Sequence, residues 1–84
     1  MKEVRKMRII SQDGNKDFPY KRCTIWVFGQ EIMAAPVGGP EEVEATMAIY
    51  STPEKVQKAI QRLHDCYQCG LKNVVFRFPQ EDDL

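Results

Sequence analysis

No apolar run in this sequence approaches the roughly 18 residues that a membrane-spanning helix needs. Its basic start leads into neither the apolar core nor the small-residue cleavage site of a secretory signal. Net charge is lacking too. Twelve basic and 12 acidic residues cancel, which removes the long-range attraction that non-specific binding to nucleic acid or an anionic membrane draws on. Cysteines number only 3, an odd count that cannot close into a complete disulfide framework. These absences predict a cytoplasmic location and no membrane partner.

Groups for chemistry are equally sparse. There is 1 histidine, and neither Ser11 nor Ser51 has nucleophile-elbow surroundings. Gly38-Gly39 is not followed by the Lys-Ser or Lys-Thr of a phosphate-binding loop. Asp13 and Asp17 flank a turn, where side-chain to backbone hydrogen bonding accounts for them. The expectation is a chain without catalytic residues or a cofactor, and not an enzyme.

What is present fits one domain. Eighty-four residues allow a single core that buries roughly 60–65% of the surface of the unfolded chain. The charge, though balanced, is uneven. Lys2, Arg5, Lys6 and Arg8 make one end basic, while Glu81, Asp82 and Asp83 make the other acidic. Short like-charged clusters at chain ends are usually solvated. The expected organisation is a flexible extension over 1–6, a domain over 7–79 and an acidic tail over 80–84.

The clearest element is a helix expected over Thr52–Cys69. Ser51-Thr52-Pro53-Glu54 offers two starts, Ser51 as cap with Glu54 closing a capping box, or Thr52 as cap with Pro53 at the first helical position. Val56, Ala59, Ile60, Leu63 and Tyr67 form its apolar stripe, and Gly70 ends it. Strand patterns occupy Met7–Ser11, Tyr20–Phe28, Ile32–Ala35, Val43–Tyr50 and Val74–Phe78, the last stopped by Pro79. Gly29-Gln30 reads as a tight hairpin turn, and 36–42 as a Gly/Pro-rich loop. Over Val43–Tyr50, Val43, Ala45, Met47 and Ile49 share one face, with Glu44, Thr46, Ala48 and Tyr50 on the other. The fold class is α+β: a four- to five-stranded, mainly antiparallel sheet with one helix on one face, in the order β-β-β-β-α-β.

One helix covers one sheet face. On Tyr20–Phe28, Cys23, Ile25 and Val27 share a face, and Arg22, Thr24, Trp26 and Phe28 share the other. Trp26, Phe28 and Arg22 are therefore the candidate binding residues of an uncovered face, with a protein partner or a second copy of the chain as occupant. Trp26 and Phe28 with Phe18, Tyr20, Tyr50, Phe76 and Phe78, and with charge from Arg8, Lys21, Arg22 and Arg77, suggest an alternative stacking platform for single-stranded nucleic acid. A further alternative is structural zinc on Cys23, His64, Cys66 and Cys69. Cys66-Tyr67-Gln68-Cys69 has the spacing of half a zinc site. No second knuckle accompanies it, and His64 and Cys66 point nearly opposite ways on a helix. Redox chemistry at this pair is disfavoured by its place at a helix C-terminus, where the dipole opposes a thiolate.

The strings Met7-Arg8-Ile9-Ile10-Ser11-Gln12-Asp13-Gly14, Asp17-Phe18-Pro19-Tyr20, Tyr50-Ser51-Thr52-Pro53-Glu54-Lys55 and Phe76-Arg77-Phe78-Pro79 resemble a family of short proteins of low-GC Gram-positive bacteria and their phages and mobile elements. That family has no established activity. The resemblance implies a natural start at Met7 and a prophage or mobile-element setting. The expected function is a small cytoplasmic binding or adaptor protein acting through a sheet face or edge.

Overall fold

The computed structural model describes residues 6–37, 44–70 and 73–84. Thr52, rather than Ser51, caps the helix. Its hydroxyl accepts the Lys55 N–H at 3.3 Å. Pro53 takes the first helical position and Glu54 brings negative charge to the first turn, both favoured there. The helix, α1, spans Pro53–Gln68. Beyond it Gly70 has φ +77°, the left-handed conformation that ends many helices. Val56, Ala59 and Leu63 are buried, and Ile60 and Tyr67 pack half-buried against the same core. The expected stripe is the face that packs.

Before α1 come β1 (Lys6–Ile10), β2 (Asp17–Pro19), a 3₁₀ turn (Tyr20–Arg22), β3 (Cys23–Phe28), β4 (Glu31–Pro36) and β5 (Ala45–Ile49). After it come β6 (Asn73–Arg77) and a second 3₁₀ turn, Glu81–Asp83. The class is α+β, as expected. The single sheet of four or five strands is not what forms: the strands make two three-stranded sheets, ordered β2-β1-β6 and β3-β4-β5. The order is accordingly β-β-β-β-β-α-β, with one strand more than expected before the helix. Pro19 explains the division. It lacks the N–H to continue a ladder, and the 3₁₀ turn after it carries the chain out of the first sheet before β3 begins. The expected strand over Tyr20–Phe28 thus starts at Cys23. The first sheet is also mixed, since β1 runs antiparallel to β2 but parallel to β6, with Met7 opposite Val74 and Ile9 opposite Phe76.

The β3–β4 hairpin follows the sequence pattern closely. Phe28 and Glu31 are partners across the two-residue turn Gly29-Gln30. Gly29 has φ +61° and, among the described residues, no non-glycine residue has positive φ, which makes the turn type II′. A Cβ at Gly29 would meet nothing within 4 Å, so only the backbone conformation penalises a side chain there. Gly29→Ala should cost about 1 kcal/mol, seen as a lower urea midpoint at an unchanged slope.

β5 breaks the expected alternation. Ile32 pairs with Ala48 but Met33 pairs with Thr46, leaving Met47 as an extra residue. Such a bulge reverses the parity of everything beyond it. Ala45 and Met47 are buried as expected, but so are Ala48 and Tyr50, while Ile49 turns outward at 57% exposed. Val43 and most of the expected Gly/Pro loop lie outside the described residues.

The two sheets share a core of Met7, Ile9, Ile32, Ala34, Met47, Ala48, Tyr50 and Phe78 with the α1 stripe. Gln12 joins them. Its N–H donates to the Met47 carbonyl at 2.6 Å, its Oε1 accepts the Ile49 N–H at 3.1 Å, and its Nε2 donates to the Pro79 carbonyl at 3.2 Å. The acidic 80–84 segment does not stand off as a solvated tail. Glu81 accepts the Ser51 N–H and lies 3.8 Å from Lys55 Nζ, the Asp83 carbonyl accepts from Arg62 at 2.8 Å, and Leu84 packs on the core. The carboxylate of Glu81 thereby sits at the N-terminal turn of α1, the end that attracts negative charge. Residues 1–5 of the expected extension lie outside the described residues. Among the described residues no helix is long and apolar enough to cross a membrane.

Candidate functional site

Residues opposite one another on paired strands share a face. In the second sheet Trp26 stands opposite Met33, Thr24 opposite Ala35, Phe28 opposite Glu31, and Glu31 in turn opposite Ile49. The alternate set is Cys23, Ile25 and Val27 with Ile32, Ala34 and Ala48. That set faces α1: its β4 and β5 members are buried, and its β3 members, with Trp26 between them, line a groove with Ile60, Leu63 and His64. The helix covers this face and leaves the other open.

Apolar side chains dominate the open face. Phe28 is 70% exposed and Val37, next to the end of β4, 66%. With Ile49 they surround half-buried Trp26, Met33 and Ala35. Thr46 donates to the Glu31 carboxylate at 3.3 Å and lies 3.4 Å from the Met33 sulfur, which fixes the floor of the patch. Arg22 is exposed at the foot of β3, where its carbonyl accepts the Val37 N–H at 2.8 Å. Trp26, Phe28 and Arg22 are thus placed along one strand. Sequence reasoning left Met33 and Val37 out of the patch and put Ile49 on one face with Ala45 and Met47, which are buried. Only the bulge brings Ile49 out, and cross-strand register is not written in a local pattern.

The other aromatics are not part of this surface. Tyr50 and Phe78 are core residues, Phe76 meets Phe78 edge-on at 5.2 Å, and Tyr20 stacks on Tyr67 at 4.9 Å. Arg8 is clamped by Asp17 through two bonds, 3.0 and 2.6 Å long, and Arg77 donates to the Gln12 carbonyl at 3.3 Å. The aromatic and basic residues therefore do not assemble into one stacking platform.

The metal candidates are also dispersed. Cys23 and His64 line the groove between β3 and α1, Cys66 is half-buried at the core margin, and Cys69 is exposed at the helix cap. Among the described residues no three metal-ligating side chains gather at one point. Burial pushes the Cys23 thiol upward from its ordinary pKa.

The Asp13 turn is a lock on the chain. Buried Ser11 donates its hydroxyl to the Asp13 carboxylate and accepts the Lys16 N–H at 3.0 Å, and Asp13 also accepts the Asn15 N–H at 3.0 Å. The Ser11 bond, then the Asn15 bond, hold the Asp13 carboxyl down at about 2. A carboxyl lowered on folding adds stability above its unfolded value of 3.8, lost as the pH falls through about 2. Thermal melts should therefore show a decline from about pH 4 to pH 2 that Asp13→Asn flattens. Tyr50, a buried group, is pushed up to about 12 by burial and donates to the Pro79 carbonyl at 2.8 Å. At neutral pH it is a hydrogen-bond donor that holds the fold.

Compared with family profiles, curated proteins and solved structures, the chain matches none. The open face of the second sheet is the feature from which a role can be read.

Proposed function

We propose that the chain is a small cytoplasmic binding or adaptor protein without catalytic activity, encoded by a prophage or mobile element, and that its working surface is the open face of β3-β4-β5. One observation carries this reading: Phe28, Ile49 and Val37 are large apolar residues left exposed together around Trp26 and Met33. Contiguous apolar surface ringed by polar groups is what protein association uses. Nucleic acid is the weaker reading, because net charge is zero and the aromatics are spread between core and surface.

Phe28→Ser combined with Ile49→Ser tests it. Both side chains are more than half exposed, so the double variant should keep its melting temperature to within about 4 °C. It should also lose the self-association or partner binding seen by sedimentation. Association that survives both changes would remove the open face from the binding surface. Binding of a single-stranded oligonucleotide that weakens steeply with salt would favour the nucleic-acid reading instead.

A further inference from the structure

β3 is an edge strand. β4 pairs with its inner side, and among the described residues no strand pairs with its outer side. The turn decides which backbone groups look outward. In a two-residue hairpin the flanking pair, Phe28 and Glu31, is hydrogen-bonded, and the parity makes Trp26 and Thr24 bonded as well. The Arg22 carbonyl, accepting from Val37, continues the series. The N–H and C=O groups of Cys23, Ile25 and Val27 therefore point away from β4.

Exposed edges are ordinarily blunted by a charge, a proline or a bulge. Cys23-Thr24-Ile25-Trp26-Val27-Phe28 has no charged residue and no proline, and the one bulge in this sheet lies on the far strand, β5. The β5 side differs, for Gln12 already bonds to Met47 and Ile49 there. Alongside the β3 edge runs the groove toward α1, about 450 Å³ in volume and lined by Cys23, Ile25, Val27, Ile60 and His64 among others. The helix-facing side chains of one added strand would fall into it.

We propose that β3 pairs antiparallel with β3 of a second copy of this chain, joining two three-stranded sheets into one of six. The inference rests on the binding reading above and names its partner as the chain itself. Register and charge select this occupant. A two-fold axis at Ile25 sets Ile25 opposite its copy and Cys23 opposite Val27. It is the one register that matches all three outward-facing residues. It also sets Thr24 opposite Trp26 and Arg22 opposite Phe28, so no like charges meet and each guanidinium reaches an aromatic ring. Phe28, the most exposed large apolar residue described, gains a neighbour, and the open faces of the two copies merge across the seam.

Sedimentation and amide hydrogen exchange of the unmodified chain over a concentration series test the pairing. The expected result is a species of twice the 9.7 kDa chain mass, with the Cys23, Ile25 and Val27 amides slowed at least about tenfold as it forms. Ile25→Pro removes one outward donor and leaves the β4 ladder intact. It should stay monomeric with its helical circular dichroism unchanged; if it does not fold, Val27→Lys makes the same test by placing a charge on the edge. A dimer whose three amides exchange as fast as in the monomer overturns the edge pairing while keeping the open face as the contact. A chain monomeric up to about 1 mM overturns the pairing too and leaves the face to a different protein, whereas unchanged binding by the Phe28/Ile49 double variant is what removes the face.

Discussion

Phe78→Ala should remove about 4 kcal/mol of stability. Phe78 is 0% exposed, meets Phe76 edge-on, and its N–H donates to the Ile10 carbonyl at 3.0 Å. Truncation keeps that backbone bond but deletes a ring from the core that the two sheets share with α1. A chain of this length has about 4–13 kcal/mol in all, so the loss is about a third of that to all of it, and the urea midpoint should fall in the same proportion. Phe28→Ala is the matched control. The same atoms are deleted from a residue 70% exposed, and the expected loss is about 0.5 kcal/mol or less. Similar losses at the two positions would mean that the core has been placed wrongly.

Gln12→Ala should cost about 2 kcal/mol through a different mechanism. The deleted amide accepts the Ile49 N–H and donates to the Pro79 carbonyl. Each lost bond is worth about 1 kcal/mol. The backbone of residue 12 keeps its own bonds, to the Met47 carbonyl and from Gln80 Nε2 at 2.7 Å. Gln12→Glu retains the acceptor and loses the donor, so about half the penalty should remain. Urea titrations of the three proteins give the comparison directly. A neutral Gln12→Ala would show that the core and the backbone bond to Met47 hold the sheets together without this side chain.

The parts of this fold legible in the sequence are those determined by neighbours within a few residues. Thr52, Pro53 and Gly70 mark the two ends of α1, and Val56, Ala59 and Leu63 show its buried side, because capping and the helical repeat are local. The β3–β4 hairpin is legible for the same reason, since Gly29 chooses its turn. What is hidden is non-local. The parallel pairing of Met7 with Val74 depends on where the chain returns after α1, and a strand pattern carries no label for its partner. The 3₁₀ turn at Tyr20–Arg22 looks like the first residues of a strand. The bulge at Met47 exists only against β4, yet it decides that Ile49 belongs to the open face and Tyr50 to the core. Trp26, Phe28 and Arg22 were readable as one row, but the patch around them needed the register of three strands. Tyr50, Gln12 and Pro79, far apart in the sequence, meet in the junction between the sheets.

The parallel partnership of β1 with β6 also sets an order of events during synthesis. Lys6–Ile10 emerge early, but the partners Asn73–Arg77 leave the ribosome about 65 residues later, roughly 3–13 s at ordinary rates of translation. In that interval the hairpin and α1 can form from local contacts, whereas β1 has only the three-residue β2 to pair with. Met7 and Ile9 then wait without their final cover, so the nascent chain passes through a stage that a chaperone or another nascent chain can engage. A stalled chain ending before Asn73 should be captured by such factors, and one in which Asn73–Arg77 have cleared the ribosome on a following linker should be released.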